Sequence, residues 1–347
     1  MRQRPTAIDL FAGCGGLTQG LKDVGFRVIA GVEISDLARE TYNLNHPEVK
    51  LFEDIRKINT LSMKRKLHIR KGELDLLAGC PPCQGFTTLR TLNGNREVAD
   101  ARNDLVLEFV RFVRDFLPRA VMFENVPRLR LDPRFRALLI DLDRLDYQYD
   151  FDVLDAAGFG VPQRRRRLIL VASRKGKPAL VRQTEERSTV RDRIGKLKKA
   201  GASGDVLHDL PERRTAKVQD RIARIPKNGG SRLALPQDEQ LPCHQRCAGF
   251  KDVYGRMAWD AVAPTITGGC VNPSKGRFLH PDENRSITLR EAALLQGFPR
   301  DYRFSLRRGK YAVASMIGNA LPPAFAKFQA LALQACIQLS ESRGDSH

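Results

Sequence analysis

Short apolar runs alternate with helix-patterned segments through the first half of this chain, and that alternation limits the folds open to it. Ala7 to Phe11, Val28 to Val32, Leu74 to Ala78, Ala120 to Phe123 and Leu168 to Ala172 each read as a buried strand. Between them, the stretch near Leu37 to Leu44 reads as a helix, and Leu105, Phe109, Phe112 and Phe116 recur at helical spacing. Asp132 before Pro133 is an N-cap followed by proline at the first helical position, opening a helix to about Leu145. Such alternation predicts an α/β fold, a mostly parallel Rossmann-like sheet covered by helices on both faces. In these sheets ligands bind beyond the carboxyl ends of the strands. The residues that follow each strand are therefore the ones to inspect.

The pattern changes near Lys175. From there to about Gly276 the sequence is rich in Arg, Lys, Gly, Pro and Gln with weak periodicity, which reads as a second, smaller, irregular domain. Phe250, Trp259 and the apolar run Val262 to Ile266 argue that its second half folds. Order returns at Thr288, where T-x-x-E spacing to Glu291 fits a capping box opening a helix through Gln296, closed by Gly297-Phe298-Pro299. The alanine-rich stretch from about Pro322 to Leu339 predicts a last helix that packs back on the first domain, with Ser340 to His347 frayed. The expected organisation is 1–175, 176–304 and 305–347.

Charge and cysteine usage bound the function. The 59 Lys and Arg against 40 Asp and Glu give a net charge of +19, spread through ordered-looking sequence, which points to a polyanion and most simply to nucleic acid. No apolar run reaches the length of a membrane span, and the N-terminus lacks a signal-peptide core, so a cytoplasmic location is expected. Seven cysteines, an odd number, argue against a disulfide framework. Cys243-His244 and Cys247 have half the spacing of a zinc site but lack a second pair, so no metal is expected.

Two constellations carry chemistry. After the first strand come Phe11, Gly13, Gly15, Gly16 and Gly20, and after the second comes Glu33. Glycines let the turn tighten and a ligand approach the backbone, and Glu33 is placed to accept from ribose hydroxyls. Asp54, before Ile55, is placed to accept from an adenine amino group. The turn F-A-G-C-G-G departs from G-x-G-x-x-G, and no phosphate-grasping Lys-Ser/Thr follows; both facts favour S-adenosylmethionine over NAD or ATP. The second constellation is Cys80-Pro81-Pro82-Cys83-Gln84 after the strand at Leu74, with Glu124 after the strand at Ala120. Prolines hold the Cys83 thiol at one position, and a thiolate needs nearby positive charge, which Arg165 and Arg167 of the run Gln163 to Arg167 supply.

In this order the motifs resemble the DNA cytosine-5 methyltransferase family, of the bacterial restriction-modification or orphan type. Asp9 to Gly16 looks like its cofactor loop, Pro82-Cys83-Gln84 its nucleophile motif, Glu124-Asn125-Val126 its acid motif, and Gln163-x-Arg165-x-Arg167 its arginine motif. Arg285 to Pro299 and Gly318 to Pro323 look like its two closing motifs. The resemblance implies an S-adenosylmethionine-dependent methyltransferase sheet, with residues 176–304 as a target-recognition domain. It implies methyl transfer to C5 of a flipped cytosine in duplex DNA, through a Cys83 adduct at C6, with Glu124, Gln163, Arg165 and Arg167 as its catalytic set. Phe11, Gly13, Gly15, Glu33, Asp54, Leu105 and Asn319 are the implied cofactor residues, and Gln84, Thr265 and Arg256 the implied DNA contacts. A monomer acting in the nucleoid, with a cognate restriction endonuclease where the system is paired, is also implied. Two alternatives stand beside it: a transfer-RNA cytosine methyltransferase sharing this core, and a DNA-binding regulator on an idle scaffold.

Overall fold

The computed structural model describes residues 4–82, 104–236, 240 and 252–344. Two compact units divide the chain: residues 1–159, 166–184 and 321–347 form one, and residues 160–165 and 185–320 form the other. Cys83, Gln84, Cys243, Cys247 and Phe250 lie outside the described residues.

The first unit is built on a seven-stranded sheet in the order β3-β2-β1-β4-β5-β7-β6. Its strands are β1 (Thr6–Leu10), β2 (Arg27–Val32), β3 (Lys50–Phe52), β4 (Leu76–Gly79), β5 (Ala120–Asn125), β6 (Gln148–Asp155) and β7 (Arg166–Ser173). The first five run parallel. β7 lies antiparallel to both β5 and β6, so the expected mostly parallel sheet carries one antiparallel strand, next to the edge strand β6. β5 is buried at every position, as expected of a strand covered on both faces.

Helices α1 (Gly16–Asp23), α2 (Asp36–Asn45), α3 (Thr60–Leu67), α4 (Leu105–Phe116) and α5 (Pro133–Arg144) cover this sheet. The helical spacing in α4 puts Leu105, Val106, Phe109, Val110, Phe112, Val113 and Phe116 on its buried face. Phe109 meets Phe123 of β5 edge-on at 5.2 Å. Each such phenylalanine contributes about 1.5–3 kcal/mol through burial, so α4 is fixed by its apolar face. It ends at Leu117, in the left-handed region at φ 47, before Pro118. Asp132 caps α5 as the sequence indicates, accepting from the Arg134 amide at 2.8 Å. The C-terminal helix, Pro323–Gly344, returns to pack on α1 and runs past the expected fraying point. Gly20 makes that contact possible: a Cβ there would lie 2.4 Å from the Pro323 carbonyl oxygen. This glycine therefore serves helix packing and not the cofactor turn.

The second unit holds, among the described residues, the helices α6 (Val190–Ile194), α7 (Val206–Asp209), α8 (Ala216–Arg224), α9 (Leu289–Leu295) and α10 (Gly309–Asn319). A small core gathers Ile222, Ile225, Leu235, Tyr254 and Leu279. The capping box of α9 forms, with the Glu291 amide donating to Thr288 Oγ1 at 3.2 Å and the Thr288 amide to Glu291 Oε2 at 2.7 Å. Three boundaries differ from expectation. Residues 176–184 stay with the first unit, where the Leu180 amide donates to Asp150 and the Val181 amide to Gln329. Residues 160–165 join the second unit because Gln163 is bonded to Ile266, Leu295 and Gln296. Residues 305–320 join it because α10 packs closely on the 267–268 turn, where a Cβ on Gly318 would lie 2.2 Å from the Thr267 carbonyl carbon. Among the described residues no helix is long and apolar enough to cross a membrane.

Candidate active site

β1 and β2 deliver the first group of predicted residues to one edge of the sheet. The chain leaves β1 through Phe11, Gly13 and Gly15, all with positive φ (61, 54 and 95). Ala12 donates to the Val32 carbonyl at 2.9 Å, which ties this turn to the end of β2. A Cβ built on Gly13 meets nothing within 4 Å, so the turn faces open space and its glycine answers to backbone conformation. Glu33 accepts from the Gly13 amide at 2.9 Å through Oε2 and from the Ser35 amide at 2.8 Å through Oε1. Burial raises its pKa, against these amide bonds and the nearby Arg39 guanidinium. Asp54 follows β3 and caps the turn Ile55–Lys57, accepting from the Arg56 amide at 3.1 Å. Leu105 opens α4 and is nearly buried. Asn319 ends α10 in the other unit.

Sequence reasoning missed two features of this edge. Ile34, directly after Glu33, is 67% exposed, an apolar surface beside a carboxylate. Below the turn lies a wholly buried polar triad: Thr18 Oγ1 donates to Asp9 Oδ2 at 2.7 Å and lies 2.7 Å from the Tyr42 hydroxyl. Burial is the largest influence on Asp9 and pushes its carboxyl up to about 7, while Oδ1 has no hydrogen-bond partner. The signal was present, since Asp9 interrupts an otherwise apolar strand. The turn, the paired carboxylates at the ends of β2 and β3 and the exposed apolar surface of Ile34 together fit a nucleoside with a ribose.

The second group gathers at the ends of β4 and β5, where Gly79 is level with Phe123. Gly79 admits no side chain, since a Cβ would lie 2.9 Å from the Leu10 carbonyl oxygen. Glu124 and Asn125 are the last two residues of β5 itself. Glu124 is only 8% exposed, and its Oε1 lies 2.9 Å from Arg167 Nε on β7. Asn125 Nδ2 donates to the Pro81 carbonyl at 3.0 Å, and its Oδ1 accepts from the Val126 amide at 2.9 Å. The asparagine thus fastens the proline turn before Cys83 to the strand that carries the acid. Burial pushes the Cys14 and Cys270 thiols up to about 12, so both stay protonated at neutral pH.

The remaining predicted residues lie in the second unit. Gln163 is fully buried; its Nε2 donates to the Leu295 carbonyl at 3.1 Å and to Gln296 Oε1 at 2.5 Å, and its Oε1 accepts from the Ile266 amide at 3.0 Å. Its amide is committed inside the protein, where it fastens the arginine segment to Ile266, Leu295 and Gln296. Arg165 Nη1 donates to the Ile266 and Gly318 carbonyls at 3.2 and 3.0 Å. Thr265 Oγ1 donates to the Arg164 carbonyl at 2.6 Å. Arg256, expected at DNA, is fully buried. Its guanidinium donates to the carbonyls of Ile225, His280, Glu283 and Ile222 and to Asn284 Oδ1, at 2.6–3.0 Å. With its donors satisfied by backbone and its surface sealed, Arg256 staples this unit together and does not contact DNA.

Comparison with known proteins gives a consistent picture. The family model described as C-5 cytosine-specific DNA methylase matches residues 6–335. The Type II methylase M.HgiDII of Herpetosiphon aurantiacus is 35% identical over 350 residues, covering 95% of each chain. The Type II methyltransferase M1.HphI of Haemophilus parahaemolyticus is 33% identical, covering 93% of this chain and 84% of its own. Among solved structures, a prophage-encoded E. coli protein described as a DNA modification methyltransferase superposes with a TM-score of 0.73 at 24% identity, covering 96% of this chain and 99% of that one.

Proposed function

Because the chain belongs to the C-5 cytosine-specific DNA methylase family and is a DNA (cytosine-5)-methyltransferase, we propose that it modifies cytosine in a specific duplex site through a covalent adduct with Cys83. The observation that carries this reading is the fastening of the Pro81 turn to β5 by Asn125, beside the Glu124–Arg167 pair. It supports a nucleophile held at a fixed distance from an acid.

Cytosine C5 is a weak nucleophile, so it must first be activated. In the proposed path the Cys83 thiolate adds to C6 of a base rotated out of the duplex, and Glu124 bears on N3 and the exocyclic amine, aiding protonation at N3. The C6–S bond pushes an electron pair to C5, which becomes the nucleophile. S-adenosylmethionine, when bound, supplies an electrophilic methyl group. Loss of the C5 proton then restores the ring and expels the thiolate. Arg167 keeps Glu124 oriented, and Arg165 is assigned to the base. Phe11, Gly13, Gly15, Glu33, Asp54, Leu105 and Asn319 would hold the cofactor, the carboxylates meeting the ribose and the adenine amine. Gln84 and Thr265 are assigned to DNA. The enzyme works as a monomer at the nucleoid, either beside a cognate restriction endonuclease or as an orphan.

Transfer of labelled methyl groups to unmodified genomic DNA, mapped at base resolution, tests this for the wild type and Cys83→Ser. The expected result is 5-methylcytosine in one short context, lost in the variant by at least about a thousand-fold, the scale of removing an essential nucleophile. Undiminished transfer by Cys83→Ser refutes the covalent path. Transfer to transfer RNA alone redirects the substrate.

A further inference from the structure

The chain leaves the catalytic end of β5 through a short helical turn, Pro127–Leu131, and enters α5. Between this turn, α5 and the edge strand β6 lies a groove of about 320 Å³, wholly within the first unit. Its floor is apolar: Leu139 and Phe151 line it, and Leu131 stands at its rim 89% exposed. Its unpaired charge is of one sign. Arg130 and Arg136 are exposed, and among the described residues neither guanidinium makes a hydrogen bond or ion pair. The Arg130 guanidinium instead lies 5.7 Å over the Phe151 ring. The groove's one carboxylate, Asp132, caps α5 and is paired with Arg134 at 3.3 Å. The adjacent strand carboxylates Asp150 and Asp152 are both engaged by Arg182.

Two guanidinium groups without a counter-charge, flanking a half-buried apolar floor with an exposed leucine at its rim, match an alternation of anion and apolar surface. A DNA strand has that alternation in its phosphates and deoxyriboses. We propose that this groove is a phosphate-contacting track for the duplex beside the target base, with Arg130 and Arg136 on phosphates and Leu131, Leu139 and Phe151 against sugars. It rests on the reading of the enzyme as one acting on duplex DNA. A positioning contact of this kind sets affinity and register without reading sequence.

The test is the salt dependence of binding by the full-length double variant Arg130→Gln/Arg136→Gln to a short mixed-sequence duplex. Two lost phosphate contacts make the slope of log K against log salt shallower by about 1.8. Between 50 and 200 mM salt the wild type then loses roughly twelve-fold more affinity than the variant. The loss should fall on KM for DNA and not on kcat. Lys66→Gln/Lys71→Gln removes the same charge from exposed positions just before β4, at the end of the sheet away from the strands' carboxyl ends, and should keep the wild-type slope. An unchanged slope in the arginine variant, with a wild type that methylates DNA, overturns this inference alone. An equal change in the lysine variant overturns it too, since net charge would then explain the effect. A wild type that transfers no methyl group to DNA overturns the functional reading, and the slopes are read independently of that result.

Discussion

Replacing Asp9 with asparagine removes a titration that the fold itself creates. In the folded chain Asp9 has no accessible surface, one oxygen bonded to Thr18 and the other without a partner, and its pKa rises from an ordinary 3.8 to about 7. Desolvation is the leading cause, and the nearby Glu33 charge adds to it, against the Thr18 bonds. The sign follows from linkage. Below the unfolded pKa both states hold the proton and the site costs nothing. As pH rises, the unfolded chain releases its proton first, so stability falls until the folded carboxyl also ionises. The whole effect is on the order of 4 kcal/mol, of which roughly 2.6 kcal/mol develops between pH 5 and pH 8. The Asp9→Asn variant has no such titration, and the oxygen of its amide still accepts from Thr18. Urea unfolding of both proteins across that range gives the difference in stability, in which the titrations of groups not coupled to Asp9 cancel. It should shift toward the variant by about 2–3 kcal/mol from pH 5 to pH 8. A difference flat to within about 0.5 kcal/mol would mean that Asp9 ionises normally, through a water or counter-charge reaching its free oxygen.

Arg256→Met leaves three buried carbonyls and a half-buried one without their donor and should destabilise the second unit by about 3 kcal/mol or more. Limited proteolysis within residues 216–284 should accelerate, while the salt slope of DNA binding stays that of the wild type; a reduced slope would return Arg256 to the DNA. Asn125→Ala frees the Pro81 turn and should lower kcat by roughly ten- to a hundred-fold, in the range of a misplaced reacting group. Its KM for S-adenosylmethionine should be unchanged, and steady-state and single-turnover methyl transfer together measure both.

The central strands were legible because burial on both faces leaves a continuous apolar run, as in Ala120-Val121-Met122-Phe123. β6 was not, because Gln148-Tyr149-Asp150-Phe151-Asp152 alternates polar and apolar residues as an edge strand does and carries no run to find. The antiparallel direction of β7 was hidden for another reason: direction belongs to the connection, not to the strand's composition. The positions of Glu33 and the glycine turn were legible because each follows a strand, and that of Glu124 because it lies at the end of one, where chain position determines location. The burial of Gln163 and Arg256 was not legible because a polar side chain reads alike whether it faces a ligand or a buried carbonyl. That distinction depends on neighbours 103 residues from Gln163, at Ile266, and 31 residues from Arg256, at Ile225.

The contact at Gly20 also governs how the protein is made. The first helix emerges early in synthesis, but the surface that covers it, beginning at Pro323, follows about 300 residues later. At elongation rates of about 5–20 residues per second, that interval is roughly 15–60 s. For that time the face of α1 that carries Gly20 remains uncovered by its final partner. Nascent chains should therefore pass through a long, sticky interval on the ribosome in which holdase chaperones compete with self-association, and slowing elongation late in the message should lower soluble yield more than slowing it early.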